Sequence, residues 1–422
     1  MTRARRLGRA TFSSLRNRNY RLYFIGQIIS VSGTWMQRLA QAWLILKLTH
    51  NNGFALGVES GLQFLPVLLF GAWGGVIADR FDKRRLLYLT QIAAGLLALG
   101  LGLIVAVGAA TVFLDYLFSV LLGFVNVIDN PARQTFVMEM VGRDELPNAV
   151  GLNSVVMNSS RVVGPAIGGI VIEAVGLAPC FLFNASSYLA VLLALWLMKA
   201  DALQRVAIVP RAKGQLREGF RYVWSDRTVR TPLVMMAVIG TLAFNFQVVI
   251  PLMSTGIFGL GAGGFGGLTS AMGAGAVLGG LAAASRRGVS YRRLLGLTYA
   301  MGVSILLAAA APTLATEVVA LFLMGAASFA FIATANTTLQ LTSRPEMRGR
   351  VMALYAIAFL GSTPVGSPII GWICVVFGPR AGFALGGVAA IVAGFVAGLS
   401  FARMRTERER EPGFDAVAVP AA

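Results

Sequence analysis

An all-α membrane protein is the class this sequence predicts, with twelve transmembrane helices in two pseudo-symmetric six-helix halves. Three observations carry that reading. Of 422 residues, 56% are apolar and 13% charged, whereas charged residues make up about a quarter of a soluble domain. The apolar residues fall into runs of the roughly 20 residues that a helix needs to cross a bilayer: 20–46, 55–78, 86–108, 112–140, 148–174, 178–198, 231–254, 265–284, 294–312, 315–341, 351–376 and 380–402. With the N-terminus inside, 31 of the 36 Lys and Arg lie on the cytoplasmic side. Lys47 and Arg380 fall outside, and Arg38, Arg133 and Arg161 fall within spans. The net charge of +18 is therefore the positive-inside bias of loops, with attraction to anionic lipid as a second effect. No nucleic-acid partner is expected, and both termini are expected in the cytoplasm.

Residues 1–19 form a basic arm, expected to be partly disordered, ending where Tyr20, Tyr23 and Phe24 can anchor the membrane interface. The long apolar run behind it is followed by no small-residue cleavage site, which predicts a retained span and not a signal peptide. Gln27, Trp35, Gln37, Arg38 and Gln41 make that first span too polar to face lipid, so it should line a cavity. The second span ends in GGVIADRFDKRR at 74–85, a tight turn at the membrane edge. Gly74 and Gly75 permit close helix approach. The Asp79 carboxylate can meet the basic cluster of Arg80, Lys83, Arg84 and Arg85 or a helix N-terminus. Glu139, near the cytoplasmic end of span four, is expected to pair with Arg80 or Arg84 as part of a gate.

Span four contains NVIDNPARQ, in which Asp129 and Arg133 stand one helical turn apart and can pair. Pro131 removes a backbone donor and bends the helix. Arg161 on span five lies near the same depth, so Asp129 is expected to have two arginine partners. It would then take a proton only when they are drawn away, for instance by an anionic substrate. The alternative is a structural ion pair that fixes span four. Span five carries Gly151, Ser160, Gly164, Pro165, Gly168 and Gly169, a smooth and bendable surface for helix packing.

The long connection 199–230 contains GQLREGFRYVWSD, which places Leu216, Phe220, Val223 and Trp224 on one face and predicts a helix lying on the cytoplasmic surface. It separates a half at 20–198 from a half at 231–402, and the halves repeat. GPAIGGIVIEAVG at 164–176 matches GSPIIGWICVVFG at 366–378. The second copy of the basic turn, SRRGVSYRR at 285–293, has no acid. The second half offers amides and hydroxyls, including Asn245, Gln247 and Asn336, to bind a substrate or to tie helices together. Residues 403–422 read as a solvated tail. Cys180, Cys374 and His50 are too dispersed to imply a disulfide or a metal site, and GAGGFGG at 261–267 lacks the strand-to-helix context of a nucleotide site.

The run from Gly75 through Asp79, Arg80, Asp82, Lys83 and Arg84 to Leu87 resembles the loop between the second and third helices of the major facilitator superfamily, with Asp82 in place of the second Gly. The span-five run resembles the antiporter signature of its drug and metabolite exporters, with Ser160 in place of a Gly. The resemblance covers 20–402 and is strongest to the branch of siderophore exporters and macrolide efflux proteins. It implies alternating access, with spans one, four, seven and ten around the cavity. It further implies a monomer in the inner (plasma) membrane that moves a small molecule outward in exchange for protons, without other cofactors. A lipid or lysolipid flippase is the alternative, using Arg38, Arg133 and Arg161 at a headgroup. A membrane enzyme or sensor is a further alternative, for which no set of catalytic residues appears at cavity depth.

Overall fold

The structure, a computed structural model, describes residues 12–204, 215–284 and 288–410. Among the described residues all regular secondary structure is helical. After a short 3-10 turn at Ser13–Arg16 come α1 (Arg18–Leu48), α2 (Gly53–Arg80), α3 (Lys83–Ala106), α4 (Val112–Val175), α5 (Ala178–Leu197) and α6 (Gln215–Ser225). Then follow α7 (Arg227–Leu242), α8 (Phe246–Leu252) with a π turn at Met253–Ile257, α9 (Ala262–Ala284) and α10 (Tyr291–Ala310). The chain closes with α11 (Leu314–Thr342), α12 (Arg348–Leu360), α13 (Thr363–Phe377) and α14 (Pro379–Arg410).

Ten stretches are long and apolar enough to cross a membrane. The polar α1 is not among them, and the runs predicted as spans four and five form the single helix α4. Its 64 residues would extend about 96 Å if straight, several times the hydrocarbon thickness. One residue breaks it: Gly142 has φ 76° and ψ −179°, a conformation open only to glycine at low cost. The backbone N–H of Gln204 closes the break by donating to the Glu139 carbonyl at 2.8 Å.

The chain forms two compact units. One comprises Met1–His50, Leu62–Pro210 and Leu260–Ser270, the other Asn51–Gly61, Arg211–Gly259 and Ala271–Ala422. Helices α2 and α9 thus each contribute to both. In the first unit α1 packs on α4 and α5, and α3 packs on the same two helices. Its core gathers Tyr20, Tyr23, Phe136, Met140 and Leu195. Tyr20 and Tyr23 are therefore core residues and not interface anchors. The Tyr20 hydroxyl donates to the Ala149 carbonyl at 2.8 Å, which satisfies a polar tip that burial would otherwise strand.

The end of the predicted disordered arm is ordered. The Ser14 hydroxyl donates to the Glu145 carbonyl at 3.0 Å, and its N–H donates to Asn148 Oδ1 at 3.1 Å. Residues 1–11 lie outside the described residues. Leu89, Phe113 and Trp196 are 67%, 72% and 70% exposed, which a lipid environment accommodates and water does not.

In the second unit α10 packs on α11 and α14, and α7 packs on α12, α13 and α14. Two interruptions mark it, between α7 and α8 at Ala243–Asn245 and between α12 and α13 at Gly361–Ser362. They face each other. A Cβ on Gly240 would meet Ser362 Oγ at 2.7 Å, and one on Gly366 would collide with the Thr241 carbonyl. The predicted surface helix forms as α6, held by an ion pair of Glu218 with Arg350 at 2.6 Å. Its expected apolar face divides: Val223 is 2% exposed, whereas Phe220 and Trp224 are exposed and stacked on each other. Helix α14 continues to Arg410, so the first part of the predicted tail is helical. Residues 411–422 and Ser285, Arg286 and Arg287 of the second basic turn lie outside the described residues, as does the side chain of Leu216.

Candidate functional site

The centre of the first unit is a carboxylate saturated by donors. Asp129 on α4 is 4% exposed. Its Oδ1 accepts from Thr90 Oγ1 at 2.8 Å and Gln91 Nε2 at 2.7 Å, both on α3. Its Oδ2 accepts from Arg133 Nε at 3.1 Å and Nη2 at 2.6 Å. The bidentate grip follows from the i, i+4 spacing, which stacks the two side chains on one helix face. Arg133 Nη1 in turn donates to Gln27 Oε1 of α1. The cluster therefore joins α1, α3 and α4 through one buried charge pair. Thr90 and Gln91 escape the sequence reading because they lie in a run without charges, expected to face lipid. The only signal was two adjacent polar residues inside it.

Arg161 does not join this cluster. Its guanidinium carbon lies 4.8 Å from the centroid of the Trp35 ring, and that of Arg38 lies 4.9 Å from the same centroid. Equal depth along two helices says nothing of azimuth, and α4 turns Arg161 toward α1. The small residues beside it explain the close approach. The Ser160 hydroxyl shares a hydrogen bond of 3.0 Å with Ser32. A Cβ on Gly164 would lie 2.6 Å from Trp35 Cβ and 2.7 Å from the Ser32 carbonyl, and one on Gly168 would lie 2.9 Å from Met36 Cγ. Gly169 meets the start of α9, 2.7 Å from the Ala262 carbonyl by the same measure, and the Pro165 carbonyl abuts Gly266. Around Gly151 the space is open.

The remaining polar residues of α1 were expected to line a cavity and instead tie helices. Gln41 Nε2 donates to Ser119 Oγ at 2.8 Å, and Gln37 Oε1 accepts from Asn184 Nδ2 at 2.6 Å. Both glutamines are buried. A buried amide needs partners, and neighbouring helices supply them.

At the membrane-edge turn, Glu139 pairs with Lys83 at 2.8 Å and not with Arg80 or Arg84. Lys83 opens α3, and one residue further on the helix has rotated about 100°. Arg84 consequently points to the end of α5, donating to the Leu195 carbonyl from Nε at 3.0 Å and Nη2 at 2.6 Å. A cation there satisfies terminal carbonyls. Arg80 is exposed and Gly75 and Asp79 are half-buried. Asp82 caps α3, its Oδ1 accepting from the Arg85 N–H at 2.9 Å.

In the second unit Asn245 sits at the break after α7. Its Nδ2 donates to the Thr241 carbonyl at 2.7 Å, and its Oδ1 accepts from Ser367 Oγ at 2.8 Å. Gln247 is exposed, and Asn336 accepts from Gln340 one turn along α11. Two acids went unnoticed in the sequence. Asp115 and Glu317 each stand four residues after an N-capping threonine, Thr111 and Thr313, at the start of α4 and α11. Both are 0% exposed. Carrying the internal repeat back to these helix starts would have found the pair.

The helical architecture and buried charge cluster agree with what known proteins show. The profile of a family described as transmembrane secretion effectors matches residues 9–415. This chain belongs to that family, within the major facilitator superfamily. Among curated relatives, the staphyloferrin A transporter of Staphylococcus aureus is 26% identical over 240 residues, 56% of this chain and 59% of that protein. The match therefore spans little more than half of each. The enterobactin exporter of Salmonella typhimurium is 22% identical over 406 residues, 94% of this chain and 95% of that one.

Solved structures share the fold. A bacterial homologue of the human lysosomal transporter Spinster, in an inward-facing unoccupied conformation, superposes with TM-score 0.70 at 17% identity, covering 94% of this chain and 99% of that one. The nucleoside transporter NupG gives TM-score 0.71 at 12% identity over 91% and 99% of the two chains. The protein is a multi-pass membrane transporter and not an enzyme.

Proposed function

We propose that this transporter exports a small organic molecule of siderophore type by alternating access, in exchange for protons. The full-length likeness to an exporter named for enterobactin supports the cargo class, and the partial likeness to a staphyloferrin A transporter supports it further. The observation that carries the coupling is the saturation of Asp129 by Thr90, Gln91 and Arg133. A proton can reach this carboxylate only after Arg133 moves off, because the guanidinium occupies one oxygen and side chains of α3 occupy the other. A conformational change or an anionic cargo that draws Arg133 away would open Asp129 to protonation, linking cargo to proton.

The rest of the reading follows from the same pieces. Twelve crossings result if α1 counts as the first and α4 as two, divided at Gly142. Both termini then face the cytoplasm of an inner membrane, the linker 199–230 joins the two halves, and the unit of function is a monomer. The Lys83–Glu139 pair and the Arg84 cap act as a cytoplasmic latch. The flippase alternative is not favoured by relatives named for siderophores.

Proteoliposomes holding the purified protein under an imposed proton gradient test the coupling. Internal pH should change when catechol or carboxylate compounds are added, and Asp129→Asn should abolish that change while cargo still binds. Proton flux that Asp129→Asn leaves intact would remove Asp129 from the mechanism.

A further inference from the structure

Arg38 on α1 and Arg161 on α4 converge on a single indole, that of Trp35, at 4.9 and 4.8 Å from its centroid. Each guanidinium lies in the other's field, and both belong to stretches of chain where a cation is costly. One arginine on the ring would serve a structural stack. A second adds like-charge repulsion with no gain in packing. The surrounding contacts nevertheless hold both in place. Ser160 bonds Ser32, and Gly164 and Gly168 leave out the side chains that would push α1 from α4. Trp35, Arg38 and Arg161 are each half-buried and so within reach of a cargo molecule. The deep acid of the same unit, Asp129, is engaged elsewhere with Arg133, Thr90 and Gln91.

We infer that Trp35, Arg38 and Arg161 form the site that recognises the cargo, and that the cargo is an organic anion presenting paired oxygens, as carboxylates or a catechol. The inference rests on the exporter reading and names its substrate class. A guanidinium presents parallel N–H donors that match two oxygens of one group in bidentate geometry. Two such forks on one ring suit a molecule with at least two oxygen-bearing groups, and an anion between them relieves their mutual repulsion. The same positive charge rejects lipophilic cations. Small residues of the span-five motif then have a specific task, which is to bring Arg161 close enough to α1 to share Trp35.

Isothermal titration of the full chain in lipid nanodiscs tests this with three probes: citrate, 2,3-dihydroxybenzoate and the uncharged triethyl citrate. One or both anions should bind at millimolar concentration or below, and triethyl citrate should not. The two anions separate the carboxylate source from the catechol source. Arg161→Gln and Arg38→Gln should each weaken binding by about tenfold to a hundredfold, the range expected for a hydrogen-bonded charge. Arg161→Lys, which keeps the charge and loses the fork, should recover only part. An unchanged thermal midpoint certifies folding, and if one glutamine variant fails that check the other carries the comparison.

Binding of neither anion, equal binding of triethyl citrate, or folded glutamine variants that bind like the parent would each overturn the inference. Its failure is distinguishable from failure of proton exchange. Arginine-dependent anion binding beside proton flux that ignores Asp129→Asn would leave this site standing and remove the coupling. Proton-linked export of a neutral compound that survives Arg38→Gln and Arg161→Gln would do the reverse.

Discussion

Removing the Asp129 carboxylate leaves Arg133 with Gln27 as its remaining side-chain acceptor among the hydrogen bonds described above. A buried charge deprived of its partner costs about 3–5 kcal/mol, so Asp129→Ala should lower unfolding stability by an amount of that order. Arg133→Gln should do the same, and the double variant should lose less than the two single losses added together. Denaturant unfolding in detergent measures the three, and strictly additive losses would show that the pair is not a unit. The pairing itself was legible in the sequence, because i, i+4 spacing on a helix is local geometry. Thr90, Gln91 and Gln27 were not, since they arrive from other helices. Lys83 in place of Arg84 as the partner of Glu139 teaches the same lesson at the membrane edge: one residue of helical rotation decides which cation meets the acid.

The helix α4 separates packing from conformation among glycines of one element. A methyl added at Gly164 meets Trp35 Cβ at 2.6 Å and the Ser32 carbonyl at 2.7 Å, so Gly164→Ala should destabilise by about 1–3 kcal/mol through overpacking. At Gly151 nothing lies within 4 Å, and Gly151→Ala should be neutral or stabilising by up to about 1 kcal/mol from helix propensity. Gly142 differs from both: its φ of 76° makes Gly142→Ala cost about 1–3 kcal/mol through backbone strain. Thermal midpoints of the three variants check the order, and a Gly151→Ala variant as damaged as Gly164→Ala would contradict the packing described. The small-residue pattern was visible in the sequence, but which glycine touches which helix was not. The reading of 141–147 as a loop also gave way, because a single left-handed glycine can turn a helix without ending it.

Orientation belongs to the whole chain. Lys47 is exposed at the end of α1 and Ser225 is exposed at the end of α6, while the native Cys180 and Cys374 are buried free thiols. In right-side-out vesicles, a membrane-impermeant maleimide should label Lys47→Cys and not Ser225→Cys. The opposite pattern would invert the proposed topology. The long apolar runs, the alternation of basic connections, the internal repeat and the family signature were all determined by the sequence by itself. Hydropathy and loop charge simply add along the chain, and a bilayer reads them segment by segment. Only the tertiary structure decided that Arg161 shares Trp35 with Arg38, that Gln37 and Gln41 tie helices, that Tyr20 and Tyr23 are core, and that residues 51–61 group with the second unit. Each of those outcomes depends on the azimuth and close approach of helices far apart in sequence, and no local pattern encodes either quantity.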